Sequence, residues 1–399
     1  MRPFDGRRVL LVVSGGIAAY KSAFLSRRLI QAGASVDVIL TESAQRFVGT
    51  DTFEGITGRR VHTELWQTAM AHLDLGKNAD VIVVAPATAD LISSMAVGAA
   101  KDLASTTLLA AEAPVIVCPA MNTRMWKHPA TQENIRSLTK FGHEIVGPAE
   151  GPLAEGETGV GRLVEPEEIM ASIGKALEPH SRFEGLKVVV TAGPTRSSLD
   201  PVRFLSNRSS GRMGYSLARA SWRRGSSVTL ITGPTTPTST FGLSVVEVET
   251  AQEMQEALQI ELAEADVLIM AAAVADFEVV DMPDAKIKKE GSKSLDISLN
   301  PGPDLLVETK SLREKNRIFT LGFALETEDA IENGRNKMER KGMQLVAVNV
   351  ANEPGAGFEV ETNRISLLYP SGKVEELPLA TKEELADQLL DHIESAMDE

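Results

Sequence analysis

Apolar residues follow two rhythms along this chain. In the first half, short apolar runs of strand length alternate with stretches of helical spacing. The runs are Arg8–Val13, Ser35–Leu40, Ala79–Ala85 and Pro114–Cys118, and Ile17 to Ala32 is the clearest helical stretch. Continuous apolar runs belong to strands buried on both faces, so this rhythm predicts a parallel sheet covered by helices. The pattern loosens into a polar helix near 165–185, where Glu178-Pro179-His180-Ser181 reads as a linker. A second βα series then runs through Leu186–Thr191, Ser227–Ile231, Ala265–Met270, Arg317–Phe323 and Gln344–Asn349. Helical spacing lies between these strands over Gly211–Arg224, Ala251–Ala263 and Glu328–Lys341, and Glu383–Met397 reads as an amphipathic C-terminal helix. The two series share a rhythm but not their motifs. The expectation is two different α/β domains, 1–183 and 184–399, each a doubly wound, Rossmann-like parallel sheet.

Length agrees, since 399 residues exceed what one ordinary core organises. The formal net charge of -14 argues against a nucleic-acid or anionic-membrane partner. Any phosphate must therefore be held by local basic clusters, backbone N–H groups or a metal ion. The single cysteine, Cys118, rules out an intramolecular disulfide and a cysteine-based zinc site. No apolar run approaches the roughly 20 residues of a membrane span, and Val9–Val13 is too short for a signal core, so a cytoplasmic location is expected.

Chemistry enters at the strand ends. Ser14-Gly15-Gly16-Ile17-Ala18-Ala19 follows a strand and opens a helix, where glycines let the backbone approach an anion and free N–H groups hold it. Ala85-Pro86-Ala87-Thr88-Ala89-Asp90 and Pro119-Ala120-Met121-Asn122 end two further strands. In open α/β sheets ligands bind beyond the carboxyl ends of the strands, where all three segments fall.

The segments SGGIAAYK, AHLDLGKNADVIVVAPATAD and PAMNTRMWKHPATQ together resemble the flavin-binding cysteine decarboxylases. That resemblance implies a flavodoxin-like first domain binding FMN through Ser14, Gly15, Thr41, Thr88, Ser105 and Thr106. It also implies His72 and Asn122 as catalytic residues in decarboxylating a cysteinyl substrate. A His near neutrality serves as base or charge partner, and a neutral amide holds a carboxylate without trapping it. The family's flap carries a proton-donating Cys, whereas this chain has Glu155 in Leu153-Ala154-Glu155-Gly156. Three outcomes stay open there: a Glu155 carboxyl raised by burial replaces the thiol, water serves, or the final reduction is impaired. Cys118, inside an apolar run, reads as packing.

The second half opens on Thr191-Ala192-Gly193-Pro194-Thr195, followed by a run from Asp200 to Gly214 dense in side-chain donors that leads into a helix start at Gly211. Met270 to Asp276 (MAAAVAD) ends a strand with small residues and one carboxylate, Lys286-Ile287-Lys288-Lys289 is a basic loop, and Lys337 and Lys341 share a helix face. No Walker lysine motif is present. TAGPT, DPVRFLSNRSSGRMGY, AAAVADF, AKIKK, LGFALET and RNKMERKGMQLVAVN, in that order, are similar to phosphopantothenate–cysteine ligases of the bacterial CTP-using type.

This second resemblance implies that a carboxylate is joined to CMP and then attacked by the amine of L-cysteine. Lys286 acts in the first step and Asn207 in the second. Met270, Ala271, Ala272, Asp276, Phe323, Lys337 and Lys341 form the nucleotide site, with Asp276 holding Mg²⁺. The family's compact N-P-D-I-L turn is lengthened here to Asn300-Pro301-Gly302-Pro303-Asp304-Leu305, so Pro303, Asp304, Leu305 and Leu306 are its expected counterparts. Together the resemblances imply a bifunctional enzyme of coenzyme A biosynthesis, using 4′-phosphopantothenate, L-cysteine and CTP. They also imply a homo-oligomer, with ligase halves paired as dimers and a dodecamer through the flavin domain as the larger form.

Overall fold

Strands with apolar cores pair with one another, and the first four strands do so, with a short fifth at the edge. In the computed structural model β1 (Arg8–Val13), β2 (Ser35–Leu40), β3 (Val81–Ala87), β4 (Val115–Pro119) and β5 (Glu144–Ile145) form a parallel sheet in the order β2-β1-β3-β4-β5. The structure describes residues 3–66, 69–154, 156–178, 180–236, 239–280, 282–288, 295–351, 355, 357 and 360–398. Every residue of β3 and β4 is buried, as a sheet covered on both faces demands. The helix Ala19–Gln31 turns Ala19, Ser22, Leu25, Ser26 and Leu29 inward, a single stripe at helical spacing. The strand order is flavodoxin-like, and its direction of winding reverses between β1 and β3. A small antiparallel hairpin follows, β6 (Ala149–Pro152) with β7 (Thr158–Arg162).

Residues Met1–Pro179 make one compact unit and His180–Glu399 the other. Phe183, fully buried, already belongs to the core of the second unit. That unit is built on β8 (Lys187–Ala192), followed by a short hairpin of β9 (Arg196–Ser198) and β10 (Phe204–Ser206). The main sheet continues with β11 (Ser227–Thr232), β12 (Ser244–Glu247) and β13 (Val267–Met270). A second hairpin pairs β14 (Phe277–Val279) with β15 (Leu299–Pro301). The remaining strands are β16 (Phe319–Glu326), β17 (Leu345–Val350), β18 (Thr362–Leu368) and β19 (Val374–Thr381).

The main sheet runs β12-β11-β8-β13-β16-β17-β18-β19. Its first six strands are parallel, in the doubly wound order that reverses at β8 and β13. The last two are antiparallel additions that the strand rhythm does not announce. β19 is the edge strand, and its Glu375, Glu376 and Pro378 are residues that suit a rim and mask an apolar signal. Two cores flank the sheet. One joins the helices Arg212–Arg223 and Lys382–Ala396 through Tyr215, Leu217, Leu385 and Leu389. The other holds the helices Ala251–Glu261 and Ala330–Lys341 through Met254, Leu258 and Met338.

Candidate functional site

Each unit has a cavity at the point where its strand order reverses. In the second unit Gly193 follows β8 and Ala271–Val274 follow β13, bridged by a parallel contact between Pro194 and Ala273. Buried hydroxyls fix this strand end. Thr191 Oγ1 accepts from Ala272 N at 3.1 Å, and Thr195 Oγ1 accepts from Ala275 N at 2.8 Å. Side chains thus hold the backbone, which is what a site reading a flat ligand edge through peptide groups requires.

The cavity beyond this edge is about 510 Å³. Of the residues expected from sequence it is lined by Asn207, Met270, Ala271, Ala272, Asp276, Pro303, Asp304, Leu305, Leu306, Phe323, Lys337 and Lys341. Lys286 is not among them; it is exposed on the loop after β14. That loop is tied down by Asp200, whose carboxylate accepts from Val202 N, Arg203 N and Arg203 Nε at 2.8, 2.8 and 3.0 Å and from Ile287 N at 3.1 Å. Arg203 in turn donates to Ile287 O at 2.9 Å. The Arg203 guanidinium holds the Asp200 carboxyl well below the usual range.

Asn207 spends its amide N–H groups on Ala273 O and Val274 O, at 3.1 and 3.0 Å. Lys337 pairs with Glu326 at 2.6 Å, and Lys341 with Asp304 at 3.0 Å. The lengthened turn is accommodated by Gly302, whose N–H donates to Asp276 O at 2.8 Å. Behind these lysines Arg313 is fully buried. It donates to Leu306 O, Lys341 O and Gly342 O at 2.7, 2.7 and 2.9 Å, and to the hydroxyls of Thr309 and Thr320. Among the described residues no group of three or more His, Cys, Asp or Glu is arranged to hold a metal.

In the first unit a cavity of about 470 Å³ lies between the turns after β1, β3 and β4, lined by Gly15, Thr88, Asn122, Leu153 and Ala154 among others. Ser14 is buried as a clamp, donating from Oγ to Pro86 O at 2.7 Å and accepting from Thr88 N at 2.9 Å. A Cβ on Gly15 would stand 2.3 Å from Ser43 Cβ, so only glycine fits this turn. Asn122 Oδ1 accepts from Arg124 N at 2.7 Å and starts the short helix after β4. The flap strand β7 crosses over it, with Met121 N donating to Gly161 O at 2.9 Å.

Thr41 and Ser105 close local turns: Thr41 Oγ1 accepts from Ala44 N, and Ser105 forms a capping box with Asp102. Neither they nor Thr106 line the cavity. Thr106 Oγ1 is buried with no hydrogen-bond partner among the described residues. The Ser14 clamp and the glycine turn at the sheet's switch point, where no Cβ fits, suit a flavin phosphate. His72 is half-buried and outside the cavity lining. Glu155 lies outside the described residues. Cys118 is fully buried, and burial pushes its thiol far up, which suits a packing role.

Sequence reasoning passed over several lining residues. Lys21 and Arg162 line the first cavity and share one carboxylate, Glu165, which Lys21 Nζ meets at 3.0 Å. Asn349, Asn363 and Lys382 line the second, along with Arg212. Arg212 falls within the donor-rich run before its helix, whereas Asn363 and Lys382 lie in segments whose strand and helix patterning alone accounts for them.

A flavodoxin-like unit and a Rossmann-like unit, each with a cavity at its switch point, define a two-site α/β enzyme. Residues 2–178 match the family model described as Flavoprotein, and residues 183–397 that of the DNA/pantothenate metabolism flavoprotein C-terminal domain. The chain is 41% identical over 402 residues to the coenzyme A biosynthesis bifunctional protein CoaBC of Vibrio vulnificus (strain YJ016), covering 100% of both. It is 42% identical to that of Bacillus subtilis (strain 168), over 98% of this chain and 97% of the relative. For Escherichia coli (strain K12) the identity is 41%, over 99% and 98%. The chain belongs to the family of bifunctional coenzyme A biosynthesis proteins, with a flavoprotein decarboxylase half and a ligase half.

Proposed function

We propose that the second unit joins L-cysteine to 4′-phosphopantothenate at the expense of CTP, and that the first decarboxylates the product to 4′-phosphopantetheine with FMN. The observation that carries the ligase reading is the cavity at the β8/β13 switch point, which gathers Asp276, Phe323, Lys337 and Lys341 beside a backbone edge held by Thr191 and Thr195. Positive charge there stabilises the negative charge that builds on the α-phosphate as the substrate carboxylate attacks. Lys286, on the loop pinned by Asp200, closes over the nucleotide in this reading. Asn207 has both N–H groups engaged, so its Oδ1 remains to accept from the cysteine amine and orient it toward the acyl carbon. Among the described residues Asp276 belongs to no cluster of three or more metal-ligating groups, so a Mg²⁺ there takes most of its shell from nucleotide phosphates and water.

In the first unit bound FMN would supply a two-electron oxidant for the cysteinyl thiol end. Gly15, Ser14 and Thr88 hold its phosphate-side turn. Asn122 positions the carboxylate that leaves as CO₂. His72 meets the flavin of a second copy, a reading supported by its place outside its own cavity and by the apolar, exposed Ile17, Tyr20 and Phe24 beside the glycine turn. The protein is accordingly a homo-oligomer, with paired ligase units and a dodecamer as the full assembly, working in the cytoplasm. Among the described residues no helix is long and apolar enough to cross a membrane.

The test is direct. Purified protein given 4′-phosphopantothenate, cysteine, CTP and Mg²⁺ should release CMP and CO₂ and yield 4′-phosphopantetheine by mass. A flavin spectrum with no CO₂, or CTP left intact, would remove one half of the reading or the other.

A further inference from the structure

Two pairs of cations face the second cavity, from opposite sides of the sheet. Lys337 and Lys341 come from the helix Ala330–Lys341, in one core. Arg212 and Lys382 open the helices Arg212–Arg223 and Lys382–Ala396, which pack together in the other. Their electrostatic circumstances differ. Lys337 and Lys341 each contact a carboxylate, at 2.6 and 3.0 Å. Lys382 is only 6% exposed, yet its ammonium makes no hydrogen bond or ion pair with any described residue. Its one acidic neighbour among the described residues, Glu361, is engaged by Arg212 at 2.8 Å. Burial, and then the Arg212 charge, pull the Lys382 ammonium down from its ordinary value.

A buried cation without a counter-ion is costly, and folds keep one only where something else completes it. The Lys382 side chain takes no part in starting its own helix. The start of its helix is already capped by Thr381 and Glu384, which exchange hydrogen bonds in a capping box. Around it the cavity wall is polar and fixed. Asn349 Nδ2 donates to Asn363 Oδ1 at 2.8 Å and to Arg364 O at 2.6 Å, both asparagines being buried. Arg212 and Lys382 against Glu361 leave one net positive charge, suited to an anion.

Resting on the ligase reading, we propose that Lys382, with Arg212, binds the phosphate monoester of the acid substrate. The nucleotide phosphates stay with Lys337 and Lys341 on the other side of the sheet edge. One phosphorylated ligand enters from each face, and the reacting carboxylate and α-phosphate meet between them. Lys382 thereby selects the phosphorylated acid over the same acid without its phosphate.

The experiment compares the wild-type chain with Lys382→Met and Lys382→Arg, and uses Arg212→Gln as a second route to the same site. CMP release is measured against 4′-phosphopantothenate, against pantothenate and against CTP. Loss of a charge-assisted contact should raise KM for 4′-phosphopantothenate by about 10- to 100-fold in Lys382→Met. KM for CTP should stay within about 2-fold, and the preference over pantothenate should shrink by the same factor. Lys382→Arg should recover most of the loss. Competition by inorganic phosphate should weaken in both Lys382→Met and Arg212→Gln. Because it removes an uncompensated buried charge, Lys382→Met should also raise the midpoint of thermal unfolding. An unchanged KM for 4′-phosphopantothenate, or a rise confined to CTP, overturns the assignment. A wild-type chain that releases no CMP sinks the ligase reading itself, a different result from a competent wild type beside an indifferent Lys382→Met.

Discussion

Two residues show how packing alone decides a chemical role. Cys118 is the only thiol, and burial raises its pKa, so the thiolate that reagents attack stays unpopulated. Native protein should therefore resist labelling by a thiol reagent even at pH 9, and label only on unfolding; labelling in the folded state would contradict the packing role. Gly15 is the converse, defined by what its neighbours leave. A methyl group there meets Ser43 Cβ at 2.3 Å and the Ser43 carbonyl carbon at 2.7 Å, contacts that backbone must move to relieve. Gly15→Ala should cost about 1–3 kcal/mol and lower the flavin content of the purified protein, read by absorbance and thermal unfolding.

The parallel strands and the helices between them were legible in the sequence because each carries one uninterrupted apolar signal. β1, β2 and β11 begin at the expected residues, while β3 runs on to Ala87 because Pro86 sits within the strand rather than ending it. The antiparallel β18 and β19 were not legible, since charges and a proline dilute their alternation. Nor was the tie from Asp200 to the Lys286 loop, which joins segments 87 residues apart through the Ile287 N–H, a contact no motif records. Its effect depends on pH. Arg203 depresses the Asp200 carboxyl when folded, so the stability it contributes is fully present above the unfolded value near 3.9 and is lost as pH falls below that toward the folded value. Asp200→Asn should lower the unfolding midpoint at pH 7, with the gap to wild type closing on acidification. It should also slow acyl-nucleotide formation by roughly tenfold, as a misplaced Lys286 would. A gap as wide at pH 2 as at pH 7 would argue against the ion-pair account.

At the scale of the whole chain, two separately built sheets imply two separable chemistries. Each cavity is lined by residues of its own unit alone. Lys337→Ala with Lys341→Ala in the full chain should abolish CMP release yet leave decarboxylation of supplied 4′-phosphopantothenoyl-cysteine near the wild-type rate. Loss of both would mean the halves depend on each other. The buried Arg313 carries a last consequence. One guanidinium grips the turn holding Leu306 and the closing residues of the lysine helix, so these two walls travel as a single rigid jaw. That jaw is the fixed side of the cavity, the anvil against which a bound nucleotide rests. A lysine at position 313, lacking the planar fork, would let the jaw split in two.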